Sequence, residues 1–373
     1  MNTIGIIVEY NPFHNGHLYH INEIKRLFKN SIIIAVMSGN FTQRGDTSII
    51  DKYRKTYIAL ENKIDIVIEL PFHYATQSAD IFAKGSIEIL NKLNVEYLVF
   101  GSESNDVELL KTLANITINN KKHEQNIKLN LKKGLSYPKS IYDSLKDLTK
   151  SEINTPNDIL GIEYIKQIIL QKSNIIPITI KRTNDYHSKK LEKISSATSI
   201  RESLKNNIDV KKSVPKSTYK YLNKELSFID YYFSLLKYKI ISSNDLKKYN
   251  LVDEGIENRL KKYILESNSL EEYISKIKTK RYTYNKIKRM LCHILVGFTK
   301  EENKVYKNIN YIRVLGFSKK GQKYLSTIKK DCNLITNYSK NKDILNLDYK
   351  SSIIYNLIFE NKLKEELNKV IKK

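Results

Sequence analysis

Short apolar runs alternate with amphipathic stretches along the first half of the chain. Runs of six mostly apolar residues predict strands at 3–8, 32–37, 64–69, 95–100 and 175–180. Apolar residues recur every three or four positions in 17–28 and 77–93, which predicts two helices. Strands that alternate with helices are typical of a parallel sheet covered on both faces, whose ligands bind at the carboxyl ends of the strands. The pattern therefore predicts an α/β fold with a Rossmann-like parallel sheet.

The second half of the chain is mainly helical by the same criterion. Helix-period stretches lie at 218–240, 256–279, 284–297, 319–330 and 351–372. One short strand is predicted at 311–315. Residues 206–217 are predicted to be a linker, and the polar, lysine-rich 119–150 to be an insertion in the sheet domain. We therefore expect a sheet domain over 1–205 and a mainly helical domain over 218–373.

Charge is distributed unevenly between these two halves. The chain carries a formal net charge of +24, of which residues 1–200 supply +5 and residues 201–373 supply +19. Drift toward A/T-rich codons also enriches lysine, but it would not concentrate the excess in one half. The second half is therefore expected to bind a polyanion such as a nucleic acid.

Composition argues against several classes of protein. Cys292 and Cys332 are the only cysteines, too few for a disulfide framework or a zinc set. The longest apolar runs are too short to span a bilayer, and the N-terminus lacks the basic and apolar regions of a signal peptide. We expect a cytoplasmic protein with no membrane association, no stable protein partner and no metal ligands of its own.

The first strand is followed by two histidines three residues apart, His14 and His17, separated by Gly16. On a first helical turn they would share one face, beside unpaired N–H groups and the positive end of the helix dipole. Such a terminus suits phosphate, and imidazole donors can stabilise charge on a phosphoryl group. An H-x-x-H pattern alone is also common as a purely structural feature, and a zinc pair would need further ligands.

A second candidate phosphate site lies at 193–201. Four hydroxyl residues stand at the start of a predicted helix: Ser195, Ser196, Thr198 and Ser199. Arg201 follows one turn later, where its guanidinium could bind phosphate together with the helix N–H groups. An ordinary helix cap followed by a surface arginine is the alternative.

Together the two sites resemble the H-x-G-H nucleotidyltransferase superfamily. His14 to His17 match its first motif, and Ile194 to Arg201 match its serine- and threonine-rich motif with one extra residue. The resemblance implies five parallel strands with ATP across their carboxyl edge and attack on its α-phosphate. It implies that His14 and His17 hold phosphate oxygens in the transition state, while Thr198 and Arg201 hold the β/γ end.

Longer stretches are similar to one family of that superfamily, the tRNA(Met) cytidine acetate ligases. The matching stretches are 8–20, 37–46, 51–60, 69–85, 100–103, 160–166, 196–201 and the basic 279–291. The resemblance implies that acetate is activated with ATP to acetyl-adenylate. It also implies that the acetyl group passes to the exocyclic amine of the wobble cytidine of elongator tRNA(Met), forming N4-acetylcytidine.

The same resemblance assigns residues to ATP. The implied contacts are Ile7, Val8, Glu9, Tyr10, Asn11, Pro12, Phe13, His14, Asn15, Gly16, His17, Leu18, Tyr19, His20, Gly101, Asn157, Arg182, Ser196 and Thr198. Mg²⁺ is expected to accompany ATP, although no compact carboxylate site for it is visible in the sequence. Arg44 is either an anion ligand or the ion-pair partner of Asp46 or Asp51, and Glu69 is expected to orient a loop.

The basic stretch around 276–291 is the candidate RNA surface. Its predicted RNA-binding residues are Lys278, Lys280, Arg281, Lys286, Lys288 and Arg289. Tyr282 and Tyr284 lie among them and could stack on unpaired bases. A solvated helix face with core tyrosines is the alternative.

Two other functions are compatible with the motifs. A small-molecule adenylyltransferase of cofactor synthesis would share the chemistry but would leave the basic half unexplained. A non-catalytic nucleotide- and RNA-binding protein would be expected to have damaged phosphate motifs, whereas His14, His17 and Arg201 are all present.

Overall fold

The computed structural model describes residues 1–150, 155–182, 195–359 and 370–373. Its strands are β1 (Thr3–Val8), β2 (Ile32–Ser38), β3 (Ile66–Leu70), β4 (Tyr97–Ser102), β5 (Ile176–Lys181), β6 (Ile312–Phe317), β7 (Leu334–Ile335) and β8 (Ile371–Lys372). They form one sheet in the order β5-β4-β1-β2-β3-β6-β7, with β8 also paired to β6. Neighbours from β5 to β3 are parallel, so the expected five parallel strands and the α/β class are confirmed.

Helices connect and cover the strands. In the first half they are α1 (Asn15–Leu27), α2 (Lys52–Glu61), α3 (Phe72–Ala75), α4 (Ala79–Lys92), α5 (Val107–Asn119), α6 (Lys121–Lys132), α7 (Tyr137–Thr149), α8 (Pro156–Leu170) and α9 (Ala197–Lys205). The helices of the second half are α10 (Lys216–Leu222), a 3₁₀ helix (Ile229–Tyr232), α11 (Phe233–Ser242), α12 (Ile256–Leu265), α13 (Leu270–Ile277), α14 (Tyr284–Val296), α15 (Lys300–Val305), α16 (Lys319–Ile328) and α17 (Asn346–Asn356).

The central strands are apolar on both faces because each face is covered by helices. Along β2, Ile32, Ile34 and Val36 enter the core that contains α4 and α8 residues, whereas Ile33, Ala35 and Met37 enter the core that contains α1 and α2 residues. All six side chains are fully buried. Burying a large aliphatic side chain contributes about 1.5–3 kcal/mol, so β2 stabilises the cores on both faces of the sheet.

The second half has its own core and also extends the sheet. Buried side chains of α11 to α14 and α17 form a third cluster. The predicted strand at 311–315 is present as β6, which pairs antiparallel to β3. The predicted helix over 256–279 is two helices, because Ser269 caps a new start by accepting a hydrogen bond from the Glu272 N–H. The helix predicted over 351–372 is present only in part: α17 covers its beginning, and residues 371–372 form β8 instead. Residues 360–369 lie outside the described part of the chain.

The segment predicted as a linker, 206–217, is packed rather than loose. Val210 and Val214 are buried in the same core as Ile200 of α9. Only these two apolar side chains of the segment are buried, while Ile208 is exposed, so sequence periodicity could not reveal the packing. Contacts of this segment with α1 bear on the candidate site described below.

Among the described residues, no helix is long and apolar enough to cross a membrane.

Candidate active site

The carboxyl ends of β1, β4 and β5 open into one cavity of about 630 Å³. Its other walls come from α1, α4, α7, α8, α9, α14, the end of α5 and the loop after β2. The predicted nucleotide-site residues that line it are Ile7, Val8, Glu9, Tyr10, Asn11, His14, Gly16, His17, Tyr19, His20, Gly101, Asn157, Arg182, Ser196, Thr198 and Arg201. The two motifs near residues 14 and 200 therefore meet at a single cavity.

Four residues of the predicted run 7–20 do not line this cavity: Pro12, Phe13, Asn15 and Leu18. Phe13 is buried, and its ring packs edge-on against Tyr10 with 4.7 Å between centroids. Leu18 packs against the core on the α1 face of the sheet. Successive residues of a helical turn point in different directions, so a continuous stretch cannot face one ligand throughout.

His14 and His17 cap the start of α1 with their side chains. His14 Nδ1 accepts a hydrogen bond from the Gly16 N–H at 3.1 Å, and His17 Nδ1 accepts one from the His14 N–H at 3.2 Å. The two rings stack with their centroids 3.7 Å apart. Because Nδ1 is an acceptor in both, each neutral ring carries its proton on Nε2. The capping therefore fixes both histidines as Nε2–H donors.

Burial keeps the histidines of the cavity uncharged. It lowers the pKa of His14 to about 3, with smaller contributions from the positive charges of Arg182 and Arg201. It lowers the pKa of His17 well below the usual value, with help from His14, Arg182 and His20. The pKa of His20 falls to about 4 through burial and then Arg182. All three imidazoles are therefore neutral hydrogen-bonding groups near pH 7.

Arg201 joins the two motifs. Its Nη1 donates to the Asn11 carbonyl at 2.7 Å, and its Nη2 donates to Thr198 Oγ1 at 3.2 Å. Ser196 caps α9, since its Oγ accepts a hydrogen bond from the Ser199 N–H at 3.1 Å. The start of α9 and the Arg201 guanidinium thus bring positive potential to the cavity, which suits a phosphate chain.

Arg182, Asn157 and Gly101 form a connected group at the ends of β4 and β5. Arg182 Nη1 lies 3.5 Å from Asn157 Oδ1, and Arg182 Nε lies 3.6 Å from Glu103 Oε1. The Asn157 amide also donates to Glu103. A Cβ added at Gly101 would lie 3.3 Å from Arg182 Cγ, so glycine keeps room for this arginine. Sequence reasoning missed the organising role of Glu103, although it belongs to the matched stretch 100–103.

Asn15 ties the histidine turn to the segment 206–217. Its backbone N–H donates to the Ser213 carbonyl at 3.1 Å, and its side-chain amide donates to the Lys212 carbonyl at 2.8 Å. Ser213 Oγ in turn lies 3.2 Å from Ser195 Oγ, just before α9. Asn15 therefore positions the turn instead of facing the cavity, and the predicted linker holds both phosphate motifs.

Comparisons with known proteins agree with this geometry. The family model described as HIGH Nucleotidyl Transferase matches residues 1–369. Proteins named tRNA(Met) cytidine acetate ligase are similar over nearly the whole chain. The one from Caldicellulosiruptor saccharolyticus is 41% identical, over 96% of this chain and 95% of its own length. The one from Fusobacterium nucleatum is 43% identical, over 92% and 91% respectively. The chain belongs to the tRNA(Met) cytidine acetate ligase family.

Solved structures of a relative extend the agreement to three dimensions. The crystal structure of Thermotoga maritima TmcAL without ligand superimposes with a TM-score of 0.93 at 31% identity, covering 100% of this chain and 99% of that one. The same protein bound to alpha-thio ATP gives a TM-score of 0.92 with the same coverage. The chain therefore shares the overall fold of TmcAL along its whole length.

Two buried lysines, Lys52 and Lys55, hold together the strand ends next to the cavity. Lys52 forms an ion pair with Glu69, with both side chains almost fully buried and 2.8 Å between Nζ and Oε1. The expected structural role of Glu69 fits this contact. Lys55 Nζ donates to the carbonyls of Glu9, Ser38 and Gly39 at 2.8–2.9 Å, joining the ends of β1 and β2. Burial lowers the pKa of Lys55 to about 7, against the opposing effect of nearby carboxylates.

The loop after β2 brings α14 to the cavity. Asp46 forms an ion pair with Lys288, and Asp51 pairs with Arg54, while Arg44 lines the cavity. Gly45 has a φ of +80°, and a Cβ there would lie 2.5 Å from the backbone of α14. Glycine is required at this point because the loop and the helix backbone touch.

The segment predicted as an insertion forms one wall of the cavity. Tyr137, Ile141 and Tyr142 of α7 line it. His123 of α6 is buried and hydrogen-bonded to Ser144 of α7 at 2.9 Å, which fixes the two helices to each other. The polar composition of 119–150 did not indicate that the segment forms a cavity wall. Only one face of α6 and of α7 packs against the protein, so most of their side chains are polar.

The predicted RNA-binding residues fall into two groups. Lys278, Lys280 and Arg281 are exposed, the last in a surface ion pair with Glu254. The others are engaged: Lys286 lies over the Tyr282 ring, Lys288 pairs with Asp46, and Arg289 lines the cavity. The prediction that Tyr282 stacks on an unpaired base is wrong. The ring of Tyr282 is buried, and its hydroxyl donates to the Asp253 carbonyl at 2.6 Å. Tyr284 is 42% exposed, and Lys288 Nζ lies over its ring, 5.5 Å from the centroid.

Proposed function

We propose that this protein is an ATP-dependent ligase that activates acetate as acetyl-adenylate and transfers the acetyl group to the exocyclic amine of the wobble cytidine of elongator tRNA(Met). The relatives named tRNA(Met) cytidine acetate ligase support this activity. The observation that carries it is the meeting of the capped histidine pair and the Arg201 motif at one cavity. A cytoplasmic location is part of the proposal, since ATP and tRNA are there.

Adenylation needs charge stabilisation more than proton transfer. An acetate oxygen attacks the α-phosphorus, and the bond to the bridging oxygen of pyrophosphate breaks. The Nε2–H groups of His14 and His17 would donate to α-phosphate oxygens, where charge develops. Arg201, with Thr198 beside it, would bind the departing β- and γ-phosphates. Neutral imidazoles suit this role, because they donate hydrogen bonds without having to lose a proton.

Mg²⁺ enters this proposal with the nucleotide. Among the described residues, no group of three or more His, Cys, Asp or Glu side chains could hold a metal ion. The triphosphate itself would therefore supply most of the ligands, as is common for Mg²⁺.

RNA would be held by the exposed part of the basic segment. Lys278, Lys280 and Arg281 lie between α13 and α14, and α14 lines the cavity with Arg289. An RNA backbone on these cations could therefore place one nucleotide at the cavity. This arrangement favours a tRNA-modifying ligase over an adenylyltransferase that makes a small cofactor.

The deciding experiment incubates the protein with ATP, labelled acetate and unmodified total tRNA, and then digests the RNA to nucleosides. We expect label in N4-acetylcytidine from tRNA(Met), and acetate-dependent formation of pyrophosphate. Reactions without ATP, and reactions with Arg201→Gln, serve as controls that should give unlabelled RNA. Label that stays on soluble adenylates while the RNA remains clean would refute the transfer step. Absence of acetate-dependent pyrophosphate would refute the adenylation step.

A further inference from the structure

The cavity continues beyond the phosphate motifs into a region between α4, α7, α8 and α14. Its polar lining consists of Asp80, Tyr137, Glu163, Lys166, Asn285 and Arg289. We call this region the acceptor compartment. None of these six residues belongs to the histidine or arginine motif, so the compartment adds space and charged side chains beside the two motifs.

Glu163 is the most unusual residue of the compartment. It lies on the buried side of α8, with 9% of its surface exposed, and faces the cavity. Lys166 Nζ is 3.2 Å from Glu163 Oε2 in an ion pair on the same helix, yet that oxygen accepts no hydrogen bond of good geometry among the described residues. Burial raises the pKa of Glu163, Asp80 raises it further, and Lys166 opposes the shift. With Lys166 as a close cation, the buried carboxylate still has lone pairs that a donor from a ligand can satisfy.

Arg289 supplies donors to the same compartment. Burial lowers its pKa to about 10, partly offset by the negative charge of Asp80. Its position is fixed because the backbone of α14 at Arg289 packs directly on Gly45. A guanidinium has only donors and a carboxylate only acceptors, so the pair fits a ligand edge that offers both kinds of group.

We propose that the acceptor compartment binds the cytosine ring that receives the acetyl group, with the Glu163 carboxylate accepting from the exocyclic amine and Arg289 donating to the ring acceptors. This inference rests on the proposed function. The Watson–Crick edge of cytosine presents the amine N4 beside the acceptors N3 and O2, and acidic side chains accept from N4. Uracil would place a carbonyl oxygen against the carboxylate, which disfavours it. The base would have to leave its stack to enter, as in other base-modifying enzymes.

Glu163 then has a defined part in the transfer step. Cytosine N4 attacks the carbonyl carbon of acetyl-adenylate, and the N–C bond forms. The bond between that carbon and the phosphate oxygen breaks, and its electron pair leaves with AMP. The proton lost from N4 goes to the Glu163 carboxylate and passes to solvent after the products leave. A buried carboxylate of raised basicity is suited to accept that proton.

The test measures the two half-reactions separately in the full-length chain. Glu163→Gln should form acetyl-adenylate, followed as acetate-dependent pyrophosphate without RNA, within about twofold of the unmodified protein. Its acetyl transfer to tRNA should fall by about a hundredfold or more, the usual range for a lost proton acceptor. Glu163→Asp should recover part of this loss. Glu108→Gln on α5 is the matched control, because Glu108 is an exposed acid outside the cavity.

Base selectivity gives a second readout. A tRNA(Met) transcript with uridine at the acceptor position should bind more weakly than the cytidine form, and Glu163→Gln should narrow that difference because an amide accepts and donates. Thermal unfolding of the variant checks that the fold is retained. Equal loss of both half-reactions, or unchanged transfer and selectivity, would overturn the assignment. If the unmodified protein makes no acetyl-adenylate at all, the proposed function fails first, which is a distinct result.

Discussion

At the scale of single residues, the hydrogen bonds that His14 and His17 accept from backbone N–H groups at Nδ1 determine which nitrogen of each ring can donate. The H-x-G-H spacing allowed the cavity position of His14 and His17 to be predicted from sequence, because two residues three apart share a helix face. Their mutual capping could not be predicted, since it depends on the extended backbone of His14 before α1. The capping determines that each neutral ring carries its proton on Nε2.

Replacing His17 with alanine should remove one donor to the α-phosphate and one cap of α1. We expect acetate-dependent pyrophosphate release to fall by about 100- to 1,000-fold, the range for loss of one preorganised donor. Binding of tRNA should be unchanged, because the exposed basic residues lie on another element. Steady-state kinetics and filter binding check the two parts, and intact adenylation with lost tRNA binding would contradict this division of labour.

The neutral histidines also make stability depend on pH. In the folded chain the pKa of His20 is about 4, whereas in the unfolded chain it is near 6.5. Between these values the unfolded state binds more protons, so the free energy of unfolding decreases as the pH falls through this window. We expect His20→Asn to reduce that slope by up to about 1.4 kcal/mol per pH unit. Urea unfolding at pH 7.5, 6 and 5 measures the free energy of unfolding of the unmodified protein and of the variant. If this free energy changes equally with pH in the two proteins, the prediction is wrong.

At the scale of elements, the five parallel strands and helices such as α1, α4 and α14 followed from apolar periodicity, whereas α5 to α8 and short connecting segments did not. The segment 206–217 reads as a linker because it is polar, yet Val210 and Val214 anchor it in the core. Its carbonyls then bind Asn15 and hold the histidine turn. Two buried apolar side chains are too few to form a recognisable periodic pattern. Longer helices such as α1 and α4 repeat their apolar positions over several turns and can be recognised.

Asn15→Ala should therefore impair catalysis although Asn15 does not face the cavity. Losing the amide contact to the Lys212 carbonyl frees the turn that carries both histidines. We expect the kcat of adenylation to fall roughly 10- to 100-fold, since small misplacements of reacting groups carry costs of that order. Binding of tRNA should not change. The control is Asn115→Ala, an exposed asparagine of α5 that bonds only within its own helix; equal effects of both variants would exclude a positioning role.

At the scale of the whole molecule, the charge asymmetry seen in the sequence is only partly available to RNA. The excess of positive charge in 201–373 predicts an RNA surface, and that stays a prediction; the structure shows which of the cations are exposed. Tertiary contacts decide which ones remain available, and Lys288 and Arg289 are engaged with the loop after β2 and the cavity. Composition cannot separate exposed from engaged charges, because the pairs are distant in sequence.

The exposed group Lys278, Lys280 and Arg281 should therefore dominate the salt dependence of tRNA binding. Replacing all three with glutamine should weaken binding and lower the slope of log affinity against log salt by about two to three, one unit or slightly less per phosphate contact. Acetyl-adenylate formation should be unaffected. The matched control replaces Lys323, Lys329 and Lys330, exposed near α16 at the amino edge of the strands. An equal change in slope for both triple variants would contradict a localised RNA surface.

The antiparallel pairing of β6 with β3 makes the second half of the chain part of the same sheet as the first half. A chain cut after residue 217 would leave the β6-facing backbone groups of β3 unpaired, so that β3, whose side chains are all buried in the intact chain, would become an open edge of the sheet. Open borders of this kind attract other strands and promote aggregation. Residues 312–317 of the second half thus complete the sheet that carries the candidate site, so the first half depends on the second for its stability.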